Sequence, residues 1–130
     1  IGILLFRSFN GSSFFNAEIA DAAISPDEGF PDAVIEDPAI TDATRALIDP
    51  IRDRLSWDAP ITGVESVRDL PFEPRWLNVK PSRFGTVESL LETIEYALDR
   101  DVALYGGGQF ELDVGRRQIQ ALASLCYPDA

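Results

Sequence analysis

The sequence predicts an α/β fold with parallel strands, and three observations carry that reading. First, the segments Val34-Ile35-Glu36-Asp37-Pro38, Leu55-Ser56-Trp57-Asp58-Ala59-Pro60 and Leu77-Asn78-Val79-Lys80-Pro81-Ser82 are each a short apolar run closed by an ionisable residue and a proline. Second, Glu36, Asp58 and Lys80 follow one another at intervals of 22 residues, the length of one strand, one helix and two short loops. Third, helical patterns fill the gaps between the runs. Alternation of this kind specifies right-handed crossovers between parallel strands.

Five strand-then-helix units are traced. Strands are expected near residues 2–7, 32–36, 54–58, 75–80 and 102–106, each apolar and suited to a buried sheet. The clearest helix is 86–99, where Thr86 supplies the N-cap and Val87, Leu90, Leu91, Ile94, Ala97 and Leu98 form one apolar stripe. A second covers 115–126, with Ile119, Leu122, Ala123 and Cys126 on one face. Weaker helical patterns occupy 16–24, 41–49 and 63–70, the middle one bracketed by Thr41 and Pro50. An open doubly wound sheet gathers its ligand contacts at one switch point, whereas a barrel spreads them over successive strand ends. The even spacing favours a partial (β/α)8 TIM-type barrel of about five units. Closing such a barrel takes eight, so two sheet edges are expected to remain uncovered and to drive association with a further chain portion or a second copy.

Composition narrows the function classes. With 130 residues and 45% hydrophobic content the chain can bury one modest core, read as a single incomplete domain over 1–130. Lys and Arg number 11 against 22 Asp and Glu, a formal charge of -11, which removes the electrostatic basis for nucleic-acid or anionic-membrane binding. No apolar run approaches the roughly 18 residues of a membrane span, and the opening Ile1-Gly2-Ile3-Leu4-Leu5-Phe6 is too short for a signal peptide. A cytoplasmic location is expected. The start inside an apolar run and the lack of any Met read as a trimmed fragment. Cys126, the only cysteine, fits a small core residue in its helix.

A parallel sheet places every strand's C-terminal end on one rim, so Glu36, Asp58 and Lys80 are expected to converge there. Two carboxylates suit a hard cation such as Mg²⁺, and the plainer alternative pairs them with Arg52, Arg54 or Arg75. Lys80 leaves a strand tip, and beside a dication it is a feasible general base. Ten of the 11 basic residues are Arg, which marks this lysine out. Its plainer alternatives are a solvated loop lysine or a partner for Glu36. Gly106-Gly107-Gly108 follows the last strand and allows close backbone approach, with the free N–H groups of the helix after it open to an anion, or simply forms a tight turn. Glu111 stands where a dinucleotide fingerprint requires glycine, so that reading fails. It is placed to support the site or to cap the helix that follows.

These segments resemble the enolase superfamily, nearest its muconate-lactonising and o-succinylbenzoate synthase branch. The likeness rests on Ile35-Glu36-Asp37-Pro38, Trp57-Asp58, Asn78-Val79-Lys80-Pro81-Ser82 with Gly85, and Tyr105-Gly106-Gly107-Gly108-Gln109-Phe110-Glu111 with its trailing Tyr127-Pro128-Asp129. The resemblance implies the third to seventh units of a barrel, Glu36 and Asp58 as metal ligands, Lys80 as acid/base, and Glu111 with Gly106, Gly107 and Gly108 contributing to the site. It further implies a small carboxylate substrate that loses an α-proton, with dehydration as the outcome and Mg²⁺ as the cofactor. At the family's Asp-x-Asn element this chain reads Arg7-Ser8-Phe9-Asn10. Asn10 alone is retained as a ligand and Ser8 replaces the aspartate, so Mg²⁺ is expected to bind weakly or not at all. A catalytically inactive barrel segment, or a racemase or epimerase using the same groups, are the competing expectations.

Overall fold

The computed structural model describes residues 3–4 and 34–127. It divides into two compact units, Ile1–Ser56 and Trp57–Ala130, and both are built from parallel strands and helices. The expected helix 16–24, Ser8 and Asn10 lie outside the described residues.

In the first unit, β1 (Ile3–Leu4), β2 (Val34–Glu36) and the start of β3 (Leu55–Trp57) lie side by side in that order. Both pairings are parallel, with Ile3 opposite Val34 and Ile35 opposite Leu55. The amide of Asp37 extends the second ladder by donating to the Ser56 carbonyl at 2.9 Å. Asp37 adopts a left-handed φ of 49°, a conformation that short polar side chains tolerate, and this turns the chain off the strand. Helix α1 (Asp42–Ile48) starts at Thr41, whose hydroxyl accepts from the Thr44 amide at 3.2 Å. The Thr44 hydroxyl accepts in return from the Thr41 amide at 2.9 Å, a reciprocal cap that satisfies two otherwise open donors. The helix was expected to run to 49 and instead ends at Ile48, where Pro50 enters a six-residue 3₁₀ segment, Asp49–Arg54. Proline lacks the amide that an α-helical continuation needs.

The second unit contains α2 (Val64–Arg68), β4 (Trp76–Val79), α3 (Val87–Leu98), β5 (Ala103–Gly106) and α4 (Asp113–Cys126). Strands β4 and β5 are parallel, with Trp76 opposite Ala103 and Val79 opposite Gly106. Two parallel strands need a long crossover, which α3 provides. Leu77, Val79 and Leu104 are wholly buried, as strands covered on both faces require. Strands β3 and β4 are one residue shorter than expected at each end and β5 one residue shorter at its start, which leaves Asp58 and Lys80 just past β3 and β4.

Thr86 caps α3 as predicted, its hydroxyl accepting from the Ser89 amide at 3.1 Å. The buried face differs from the predicted stripe. Leu90, Thr93, Ile94 and Ala97 are buried, whereas Val87, Leu91 and Leu98 are exposed. At 100° per residue the exposed three form an adjacent strip, so the helix sits rotated toward Thr93. Thr93 is tolerated there because its hydroxyl donates to the Ser89 carbonyl at 2.7 Å. Helix α4 begins two residues earlier than predicted, and of the predicted face only Ile119 is fully buried, while Cys126 is half-buried.

The rotation of α3 is open to direct measurement. Ile94→Ala should lower unfolding free energy by about 2–5 kcal/mol, whereas Leu91→Ala should stay within about 0.5 kcal/mol. Denaturant titration of the two variants checks this, and equal losses would restore the broader stripe.

Candidate functional site

Asp58 is the centre of a polar cluster in the second unit. It follows β3 directly and is only 2% exposed. Lys80 follows β4 and is 8% exposed. Its Nζ donates to Asp58 Oδ2 at 2.5 Å. Arg83 completes the cluster, with Nη1 2.6 Å from Asp58 Oδ1 and 2.5 Å from the Asp58 carbonyl oxygen. One carboxylate thus holds two cations, one on each oxygen.

The local sequence produces this geometry. Pro81 stops β4 and opens a 3₁₀ turn, Pro81–Arg83, because its ring fixes φ and removes a ladder donor. The turn closes when the Arg83 amide donates to the Lys80 carbonyl at 3.0 Å. Gly85, at a φ of 72°, then redirects the chain into the Thr86 cap, a conformation glycine adopts without steric cost. Phe84 is buried beneath the turn. Lys80 and Arg83 are therefore presented to the same carboxylate by three residues of turn.

Arg83 did not emerge from the sequence. Arg52, Arg54 and Arg75 were the arginines weighed as partners, and Arg52 instead pairs with Asp49 across one turn. The available signal was proximity, since Pro81-Ser82-Arg83 begins where β4 ends. Among its sequence-level alternatives Lys80 takes none: its partner is Asp58, and it is buried rather than extended into solvent.

Glu36 ends β2 in the first unit and is 2% exposed. Among the described residues no group of three or more His, Cys, Asp or Glu side chains is arranged to hold a metal ion. Asp58 suits a dication poorly in this arrangement, because a cation entering there would sit beside the Lys80 ammonium and the Arg83 guanidinium.

Glu111 neither reaches Asp58 nor caps α4, whose N-cap is Leu112 with no side-chain hydrogen bond. Its carboxylate turns back and accepts from the Gln109 amide at 2.5 Å and the Phe110 amide at 3.0 Å. Hydrogen bonding from the Ser82 hydroxyl, and then from nearby backbone amides, holds its pKa below the ordinary 4.5. Consecutive amides after a glycine run form an anion-accepting nest, and here the chain's own carboxylate fills it.

The three glycines serve different ends. A Cβ on Gly106 would lie 2.6 Å from both the Tyr127 ring and the Val79 carbonyl, so close packing excludes any side chain. One on Gly108 would meet the Glu111 carboxylate at 2.7 Å, and one on Gly107 would meet nothing. The close approach expected of a ligand at Gly106 is made by Tyr127. That ring is buried, and burial pushes its phenol pKa up.

Comparison with known proteins assigns a family. The chain belongs to the C-terminal domain family of DUF8230, a domain of unknown function. The DUF8230 match spans residues 16–130 and so contains Asp58, Lys80, Arg83 and Glu111. No curated protein and no solved structure matches the chain. No helix among the described residues of this DUF8230 domain is long and apolar enough to cross a membrane.

Two outcomes test the site's energetics. Asp58→Ala leaves the buried Lys80 and the half-buried Arg83 without their anion and should cost about 3–5 kcal/mol of stability. Lys80→Met keeps the Asp58–Arg83 pair and should cost less, and denaturant unfolding that ranks the two the other way would remove Asp58 from the centre. For Glu111 the sign follows from its lowered pKa: its contribution is present above the unfolded value and is lost as pH falls through the folded one. The Gln109 and Phe110 amide resonances should shift on acidification with a midpoint below 4.5, and Glu111→Gln should abolish that shift.

Proposed function

We propose that the chain forms part of a (β/α)8-type barrel whose strand-end cluster performs proton chemistry on a small carboxylate, in the manner the enolase-like motifs imply. The observation that carries the reading is Lys80, the chain's single lysine, buried at a strand end and fixed by Asp58 at 2.5 Å. Parallel strands with helical crossovers support a barrel-type rim. Within the cluster two cations face one carboxylate, an excess of one positive charge that suits an incoming substrate carboxylate.

In this reading Arg83 binds the substrate carboxylate, because its planar fork matches two oxygens at once. Lys80 enters the cluster as an ammonium and must first release a proton to solvent; its amine then takes the α-proton, and the ammonium so formed returns that proton to the product or the leaving group. Asp58 sets the position of both. Burial keeps water from competing for these contacts and strengthens each of them. Because Lys80 and Arg83 already flank Asp58, no step is assigned to Mg²⁺. Elimination of water is the expected outcome, and racemisation would use the same proton transfer.

A second reading is favoured by one feature of the same cluster. Asp58 satisfies Lys80 and Arg83 without any ligand, as a structural clamp in an inactive barrel element would.

Deuterium exchange separates the two. A panel of small carboxylates bearing α-protons should show exchange in D₂O, followed by proton NMR, and Lys80→Ala should slow it about 10²–10⁴-fold. Exchange that ignores Lys80→Ala would move the chemistry to other residues. No exchange from any member of the panel would leave the clamp.

A further inference from the structure

We propose that a crevice at the N-terminal ends of β4 and β5 binds a monocyclic aromatic carboxylate of the benzoate class. Its position separates it from the Asp58 cluster. Pro74 precedes β4 and Val102 precedes β5, and both line the crevice, whereas Lys80 follows β4. The two places are a strand length apart, about 13 Å at the usual rise per residue. The inference is independent of the proton chemistry proposed above.

Three properties select the ligand. The crevice has a volume of about 170 Å³, comparable with a cavity of about 150 Å³ that admits benzene. Its walls are apolar over Val67, Leu70, Phe72 and Val102, which favours a ring over a bare anion. Two guanidinium groups, from Arg68 and Arg100, stand at the same lining and share the Tyr96 ring, with their Cζ atoms 5.2 and 3.7 Å from its centroid.

The stacking matters for recognition. A guanidinium laid on an aromatic ring spends its face there and keeps its in-plane N–H groups for a carboxylate. Arg100 also donates Nη1 to the Tyr96 carbonyl at 3.1 Å, which leaves most of its five donors for other acceptors. Arg68 is tethered by Glu65 on its own helix. Both cations are thus held in place before a ligand arrives, which lowers the ordering cost of binding. Glu65 offsets Arg68 and Glu73 stands in the same lining, so the carboxylate is recognised by the directed donors of Arg100 and not by a net positive charge.

Isothermal titration of the whole chain with benzoate, acetate, inorganic phosphate and benzyl alcohol tests the proposal. Benzoate should bind one site, with the other three weaker by about tenfold or more, since each lacks either the ring or the charge. Arg100→Gln should weaken benzoate about tenfold, and its exposed position leaves the core untouched. Glu73→Gln should tighten it, a gain that unfolding would not produce. Absence of saturable benzoate binding up to about 10 mM would overturn the proposal. So would equal affinity for acetate, phosphate or benzyl alcohol, or benzoate affinity unchanged in both variants.

Discussion

A carboxylate at 2% exposure is unstable as an ion unless its lost hydration is replaced, and that requirement at Asp58 shapes the second unit. Desolvating such a group costs several kcal/mol unless partners are well placed. Lys80 and Arg83 are among those partners, and both come from the connection between β4 and α3. Strand termination at Pro81, the 3₁₀ turn, the left-handed Gly85 and the Thr86 cap form one sequence of local events that delivers Lys80 and Arg83 to a residue 22 and 25 positions away. A change in any of these local events would misplace a cation before it weakened the helix.

The strands and most helix starts were legible in the sequence because their causes are local. Leu77, Val79 and Leu104 sit in short apolar runs bounded by turn residues, and Thr86 precedes a helical period. The face of α3 was less legible. Val87, Leu91 and Leu98 are as apolar as Leu90 and Ile94, so the period alone gives a stripe wider than the buried face, and only packing chooses the rotation. Asp58 and Lys80 were identified and do meet. Arg83 was missed because its role comes from a turn that folds the chain back, and composition carries no sign of that contact.

The glycine run shows how identical residues conceal different constraints. Gly106 is fixed by the Tyr127 ring and the Val79 carbonyl, and Gly108 leaves room for Glu111. The sequence suggested an anion at the helix after this run, and the Gln109 and Phe110 amides ahead of that helix donate to one from within the chain. The anion is Glu111, two residues beyond Gln109 and adjacent to Phe110. A carboxylate that close in sequence is always available to its own loop, so it competes with any external anion at high effective concentration.

The choice of lysine at position 80 also follows from the geometry around Asp58. Arg83 spans a side-chain oxygen and the backbone carbonyl of one residue, a span suited to a delocalised guanidinium. Lys80 takes Oδ2, just past the end of β3. A compact ammonium fits that place, whereas a second guanidinium would bring a planar fork with five donors into a site offering one oxygen. In a chain whose other ten basic residues are arginine, the single lysine stands where a compact ammonium meets one carboxylate oxygen. That reason holds whether the amine moves a proton or only holds the clamp.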